Sequence, residues 1–165
     1  MIRNSNIQRI GENLAKIISI YSHKKINFNR GDVMIVVEGR IRGKQRPRFN
    51  TKTGRAFTPG DTITYENWIK CCYQEQCGTY LEGPIRARIE VYYKIPKSYT
   101  KKRVQSIREG LEMPLKKPDS DNIAKIVLDS LNKIAFDDDA QIVELTVLKR
   151  WTEAAERIEF ELEEY

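Results

Sequence analysis

The sequence predicts an α/β (α+β) fold, a small mixed sheet of about four strands packed with helices. Three observations carry this expectation. Residues 85–93 alternate, with Ile85, Ala87, Ile89, Val91 and Tyr93 on one side and Arg86, Arg88, Glu90 and Tyr92 on the other. That period of two marks a strand with one buried and one solvated face. Residues 157–163, RIEFELE, repeat the pattern, setting Ile158, Phe160 and Leu162 against charge. Between these segments Ile123, Val127, Leu131 and Ile134 recur at helical spacing, as in an amphipathic helix. Helices interleaved with strands imply a sheet of mixed direction.

The remaining elements follow in chain order. Ile7, Ile10, Leu14, Ile17, Ile18 and Tyr21 predict an amphipathic helix over 5–21, set off by the polar stretch SHKKINFNRGD. VMIVVEG (33–39) reads as a buried strand rich in β-branched residues. GRIRGKQRPRFNTKTGRAFTPGD (39–61) reads as a basic loop punctuated by Gly39, Gly43, Gly54 and Gly60 and two prolines. A helix is expected over 62–77, carrying Ile63, Trp68, Ile69 and Cys72, with Asp61 or Thr62 as cap. Another is expected over 98–109, opened by Ser98 and closed at Gly110, with Val104, Ile107 and Leu111 inward. The helix around Ile123 cannot begin much before Asp119, because Pro118 restricts the residue that precedes it. QIVELTVLKRW (141–151) is a strand with Val143, Leu145, Val147 and Trp151 on one face.

Composition narrows the function. The 165 residues are 40% hydrophobic and 32% charged, with a net charge of +6. A folded, basic protein suits nucleic acid, an anionic membrane surface or another acidic partner. No apolar run approaches the roughly 20 residues that span a bilayer, and the N-terminus lacks a signal-peptide apolar core, so a cytoplasmic protein is expected. Cys71, Cys72 and Cys77 form no CxxC pair, and His23 is the single histidine. Zinc and disulfide scaffolds are therefore disfavoured, and reduced, partly buried thiols are expected.

The stretch KPDSDNIAKIVLDSLNKIAFDDDAQ (117–141) departs from the basic background. Asp119 and Asp121 stand at the mouth of the apolar helix, and Asp137, Asp138 and Asp139 follow it. If that helix packs on the strand 141–151, the DDD turn folds back towards the PDSD turn. Carboxylates brought together need a counter-cation. Oxygen-only ligands suit Mg²⁺ or Mn²⁺, which would let an acidic cluster face phosphate and activate water. Lys125, one helical turn after Asp121, either stabilises a phosphoryl transition state or forms an i,i+4 ion pair. Equally, the aspartates are caps and turn residues. A calcium EF-hand loop fails, since Ile123, Ala124 and Ser130 would fall where an oxygen ligand, glycine and glutamate are required.

Lys117-Pro118-Asp119-Ser120-Asp121-Asn122-Ile123-Ala124-Lys125, then Asp138-Asp139-Ala140-Gln141, then Lys149-Arg150, resembles the RusA-type Holliday-junction resolvases. GKQRPRF (43–49) with AFTP (56–59) is similar to a basic loop found in many members, and the resemblance spans residues 33–163. It implies a compact α/β homodimer that makes paired Mg²⁺-dependent nicks in four-way DNA junctions during recombination and repair, in a family often encoded by phages and prophages. Two-fold symmetry suits a junction that needs two matching cuts. The resemblance puts the metal-binding aspartates at Asp119, Asp121 and Asp139, the active-site lysine at Lys125, and a supporting carboxylate at Asp138. It also divides the chain into a helical extension, 1–31, and an endonuclease domain, 32–165. Asp137 is an extra acid in the turn; Asp139 directly precedes Ala140-Gln141 and is preferred as ligand.

Lys44, Arg46 and Arg48 lie in the basic loop with Phe49 and Phe57. The cations would contact DNA phosphates, and a phenylalanine would either stack on an unpaired base or belong to the core. Lys116, Lys117, Lys149 and Arg150 flank the acidic cluster as further phosphate clamps. Two rival readings remain: a nucleic-acid-binding protein whose aspartates only cap and turn, and a metal nuclease acting on flaps or RNA.

Overall fold

The computed structural model describes residues 33–51 and 54–165; the helix expected over 5–21 and the 1–31 extension lie outside the described residues. The chain runs through β1 (Ile35–Glu38), β2 (Arg48–Asn50), β3 (Arg55–Phe57), α1 (Gly60–Gln76), β4 (Ile85–Lys94), α2 (Lys101–Arg108), α3 (Ser120–Leu131), a 3₁₀ turn (Asp139–Gln141), β5 (Ile142–Thr152) and β6 (Arg157–Glu164). Four strands form one sheet in the order β1-β6-β4-β5, and β2 and β3 form a separate two-stranded sheet.

β4 lies centrally, antiparallel to β6 and parallel to β5. The parallel pairing follows from the connection, since α2 and α3 give the long crossover that parallel strands need. The alternation along β4 and β6 sends Ile89, Val91, Ile158 and Phe160 into the core, where they meet Ile69 and Tyr73 of α1 and Ile123, Val127 and Leu131 of α3. The opposite face carries an ion-paired ladder built from Arg86, Arg88, Glu90, Glu161 and Glu163. The outer edge of β1 is closed by a side chain: Gln76 accepts from the Val36 N–H and donates to the Val36 carbonyl. Cys71, Cys72 and Cys77 are free thiols. No helix among the described residues is long and apolar enough to cross a membrane.

Several local expectations are corrected. Short RFN and RAF strands interrupt the basic loop; three residues are too few for an alternation to show. α1 opens at Gly60 behind Pro59, without a side-chain cap. Its buried face is Thr62, Tyr65, Ile69, Cys72 and Tyr73, leaving Ile63 exposed. α2 is capped by Thr100, which accepts from the Arg103 N–H, because residues 96–99 close a turn through Tyr99 N–H and the Pro96 carbonyl. Gly110 has φ +74° and redirects the chain, so Leu111 is exposed. Val143 and Leu145 lie on the helix-side face of β5, but they too are exposed because β5 is an edge strand.

Candidate active site

Asp119 occupies the N-cap position of α3, but its side chain makes no capping bond. Its carboxylate instead accepts from Lys117 Nζ at 2.7 Å. That bond holds Asp119 below the ordinary carboxylate range; burial opposes the shift, and the charges of Lys117 and Lys149 reinforce it. Lys149 Nζ donates to the Lys116 carbonyl at 2.7 Å, and both ammonium groups lie over the Tyr93 ring, at 5.3 Å for Lys116 and 5.8 Å for Lys149. Burial, then Glu156 and Asp119, push the Tyr93 phenol up to about 12. Its buried hydroxyl has no partner among the described residues. Lys116, Lys117 and Lys149 thus cluster about Asp119, with Lys116 also 3.6 Å from Glu156.

Along α3, Asp121, Lys125 and Asp129 fall at i, i+4 and i+8, one stripe of the helix. The Asp129 carboxylate lies 2.8 Å from Lys44 Nζ, which is also 2.6 Å from Glu66. Burial disfavours the charged ammonium, but bonds to Asp129 and Glu66 outweigh it and hold Lys44 above the ordinary lysine value. The Lys44 N–H donates to the Asn122 carbonyl at 2.8 Å. A glycine is required just before it: a Cβ on Gly43 would stand 2.5 Å from Pro118 Cβ and 3.0 Å from Asn122 Cβ. The basic loop is therefore bolted directly onto the PDSDN turn.

The three aspartates after α3 are held in different ways. Asp137 bonds Lys133 Nζ at 3.0 Å and the Tyr80 hydroxyl. Asp138 opens the 3₁₀ turn and accepts from the Ala140 N–H at 2.9 Å. Gln141 completes a capping box, accepting from the Asp137 and Asp138 N–H groups and donating to the Gly83 carbonyl. Asp139 remains. Burial, the charges of Asp129 and Asp138, and a hydrogen bond with Asp138 push its carboxyl above the usual range, while Lys125 opposes the shift. Asp139 thus lies within electrostatic reach of the α3 stripe.

Asp139 is brought towards Lys125 and Asp129, and Asp119 towards Lys117 and Lys149. Asp121 has its carboxylate 3.3 Å from the Asn122 amide. Among the described residues, no three acidic side chains are gathered as a metal-ligand set. The donors nonetheless suit a hard divalent cation in kind: they are all carboxylates, and a cation would favour the charged form of Asp139, which burial and then the charges of Asp129 and Asp138 disfavour.

Two of the residues expected to contact DNA have carboxylate partners. Arg150 and Lys149 are adjacent in a strand and so point to opposite faces; Arg150 pairs with Glu90 at 2.7 Å on the ladder face. The ammonium of Lys44 is engaged between the carboxylates of Glu66 and Asp129. Arg46 and Arg48 are exposed. The sequence reading missed Asp129 and Glu66. Asp129 was findable, since it extends the Asp121–Lys125 spacing by one more turn; Glu66 carried no comparable signal.

The described segment matches known proteins. The family model for the endodeoxyribonuclease RusA matches residues 38–163, from the end of β1 through β6. The uncharacterized protein YqaN of Bacillus subtilis (strain 168) is 31% identical over 126 residues, covering 73% of this chain and 89% of that protein. With the paired aspartates, the α3 lysine and the capped DDAQ turn inside the matched segment, the chain belongs to the RusA endodeoxyribonuclease family.

Proposed function

We propose that this protein is a Mg²⁺-dependent endodeoxyribonuclease that resolves four-way DNA junctions by paired phosphodiester hydrolysis, working as a homodimer in recombination and repair. Family membership supports the reaction class. The observation that supports the assignment to these residues is the relation of Asp139 to α3: Asp137 is engaged by Lys133 and Asp138 by the Ala140 N–H, while Asp139, bonded to Asp138, also feels the charges of Asp129 and Lys125.

In this reading Asp119, Asp121 and Asp139 hold Mg²⁺, with Mn²⁺ as a substitute. The chemistry supplied by the bound ion is charge neutralisation at the scissile phosphate and a lowered pKa for coordinated water. The chain does the rest. Lys125 holds a phosphoryl oxygen and stabilises charge that develops there in the transition state. Asp138 and Gln141 fix the turn that aims Asp139. Lys117 exchanges its bond to Asp119 for one to a DNA phosphate, freeing that carboxylate, while Lys116 and Lys149 keep the surroundings cationic. Two-fold symmetry supplies two such sites for two cuts.

The Lys117–Asp119 pair and the lack of a gathered acidic set among the described residues favour a second reading, a nucleic-acid-binding protein that does not cut. A synthetic four-way junction, offered with and without Mg²⁺ to the native protein and to Asp121→Asn, separates the two. Symmetrical nicking that needs both the metal and Asp121 supports the nuclease. Tight binding without cleavage under Mg²⁺ or Mn²⁺ supports the binding protein. Flap and RNA substrates in the same assay test junction selectivity.

A further inference from the structure

The β2–β3 hairpin is a separate sheet, and an isolated two-stranded hairpin has little stability of its own. It nevertheless exposes two large aromatic rings, Phe49 at 65% and Phe57 at 49%. The register pairs Arg48 with Phe57, Phe49 with Ala56 and Asn50 with Arg55. Alternation then puts Phe57 on one face with Arg48 and Arg55, and Phe49 with Ala56 on the other. The hairpin arginines also differ from those of the main sheet and of α2. Arginines of the main sheet and of α2 are paired with glutamates, whereas no carboxylate of the described residues pairs with Arg46, Arg48 or Arg55.

Exposed aromatic faces beside uncompensated guanidinium groups match a ligand that combines anionic charge with flat apolar rings. Unstacked nucleic-acid bases between phosphates are such a ligand; a continuous duplex, whose bases are already stacked, offers only the charge. The first end of the hairpin is rooted at the candidate active site, and the second runs into α1, whose Glu66 pairs with Lys44. Lys44 is fixed to Asn122 and Asp129, and α1 begins just after Phe57. The four residues from Lys44 to Arg48 reach at most roughly 14 Å.

We infer that the β2–β3 hairpin is a base-stacking finger: Phe57, on the face it shares with Arg48 and Arg55, and Phe49, on the opposite face, each engage a base unstacked at the centre of branched DNA. The inference rests on the junction reading above and adds to it the element that tells a branch point from a duplex. Loss of one stacked base costs about 1–3 kcal/mol, about fivefold to 150-fold in affinity.

The test uses the full chain in EDTA, which prevents cleavage, with fluorescently labelled four-way junction and linear duplex of matched sequence. Fluorescence anisotropy gives both affinities for the native protein and for the Phe57→Ala, Phe57→Leu, Phe57→Trp and Phe49→Ala variants. The alanine variants and Phe57→Leu, which keeps apolar bulk but no aromatic face, are expected to lose about tenfold in junction affinity with duplex affinity unchanged; Phe57→Trp is expected to retain it. Because both rings are solvent-exposed, the variants keep the core, and matching circular dichroism melts verify this. Equal losses on junction and duplex, or no loss on either, overturn the finger while leaving the nuclease assignment intact. A native protein without junction preference overturns both.

Discussion

Replacing Gly43 with alanine probes the contact that joins the basic loop to the acidic turn. Gly43 has no positive φ, so the cost is steric and not conformational. The added methyl would sit 2.5 Å from Pro118 Cβ, whereas carbon atoms pack comfortably at about 3.5–4.0 Å. The obstruction is a proline ring and the Cβ of Asn122, atoms fixed to the backbone, so the loop must retreat by about 1 Å. Such overpacking costs about 1–3 kcal/mol, and losing the Lys44 N–H to Asn122 bond adds about 1 kcal/mol. The expected loss is about 2–4 kcal/mol, read as a lower urea midpoint at unchanged slope. Junction cleavage should fall further than stability explains, since a misplacement of about 1 Å in a site can cost about a hundredfold in rate. Gly60→Ala is the control, because a Cβ there meets nothing within 4 Å. If Gly43→Ala unfolds within about 0.5 kcal/mol of the native protein, the loop is not bolted to the turn and the reasoning fails.

Glu90 is held at about 2 by its bonds to Arg150, Arg88 and Tyr92, against the opposing effect of burial. A depressed carboxylate contributes stability above its unfolded value near 4.5 and loses it as pH falls towards 2. Between pH 6 and pH 2.5 the native protein should therefore lose about 2 kcal/mol more than Glu90→Gln, discounting for the half-exposed arginines; parallel urea curves would refute this. Lys44→Met leaves Glu66 and Asp129 facing each other without their cation and should cost about 1–3 kcal/mol. Adding Glu66→Gln should recover part of that loss in thermal melts, and additive losses would count against a shared network. Asp138→Ala removes the cap on the Ala140 N–H and should cost about 1 kcal/mol. Its cleavage rate should drop well beyond that while junction binding in EDTA is kept, and an unchanged rate would show that Asp138 does not aim Asp139.

Much of this protein was legible in its sequence because much of it is locally periodic. The alternation at 85–93 and 157–163 specified β4 and β6 and their buried faces, since a strand's side chains alternate whatever it pairs with. Helical spacing likewise put Asp121 and Lys125 on one stripe of α3. Spacing could not say which strands are neighbours, that β4 is central or that β5 lies exposed at the edge, for those depend on pairings between residues far apart in the chain. The division of labour in the Asp137–Asp139 turn depends on Lys133, Gln141 and Gly83, and the engagement of Lys44 depends on Glu66. The burial of Phe49 and Phe57 was equally open, because a three-residue strand has no periodicity to read. Local chemistry determined the elements and the residue types of the site. Tertiary contact decided which charges are neutralised and which are left free, because electrostatic partners are chosen by distance in space and not by distance along the chain.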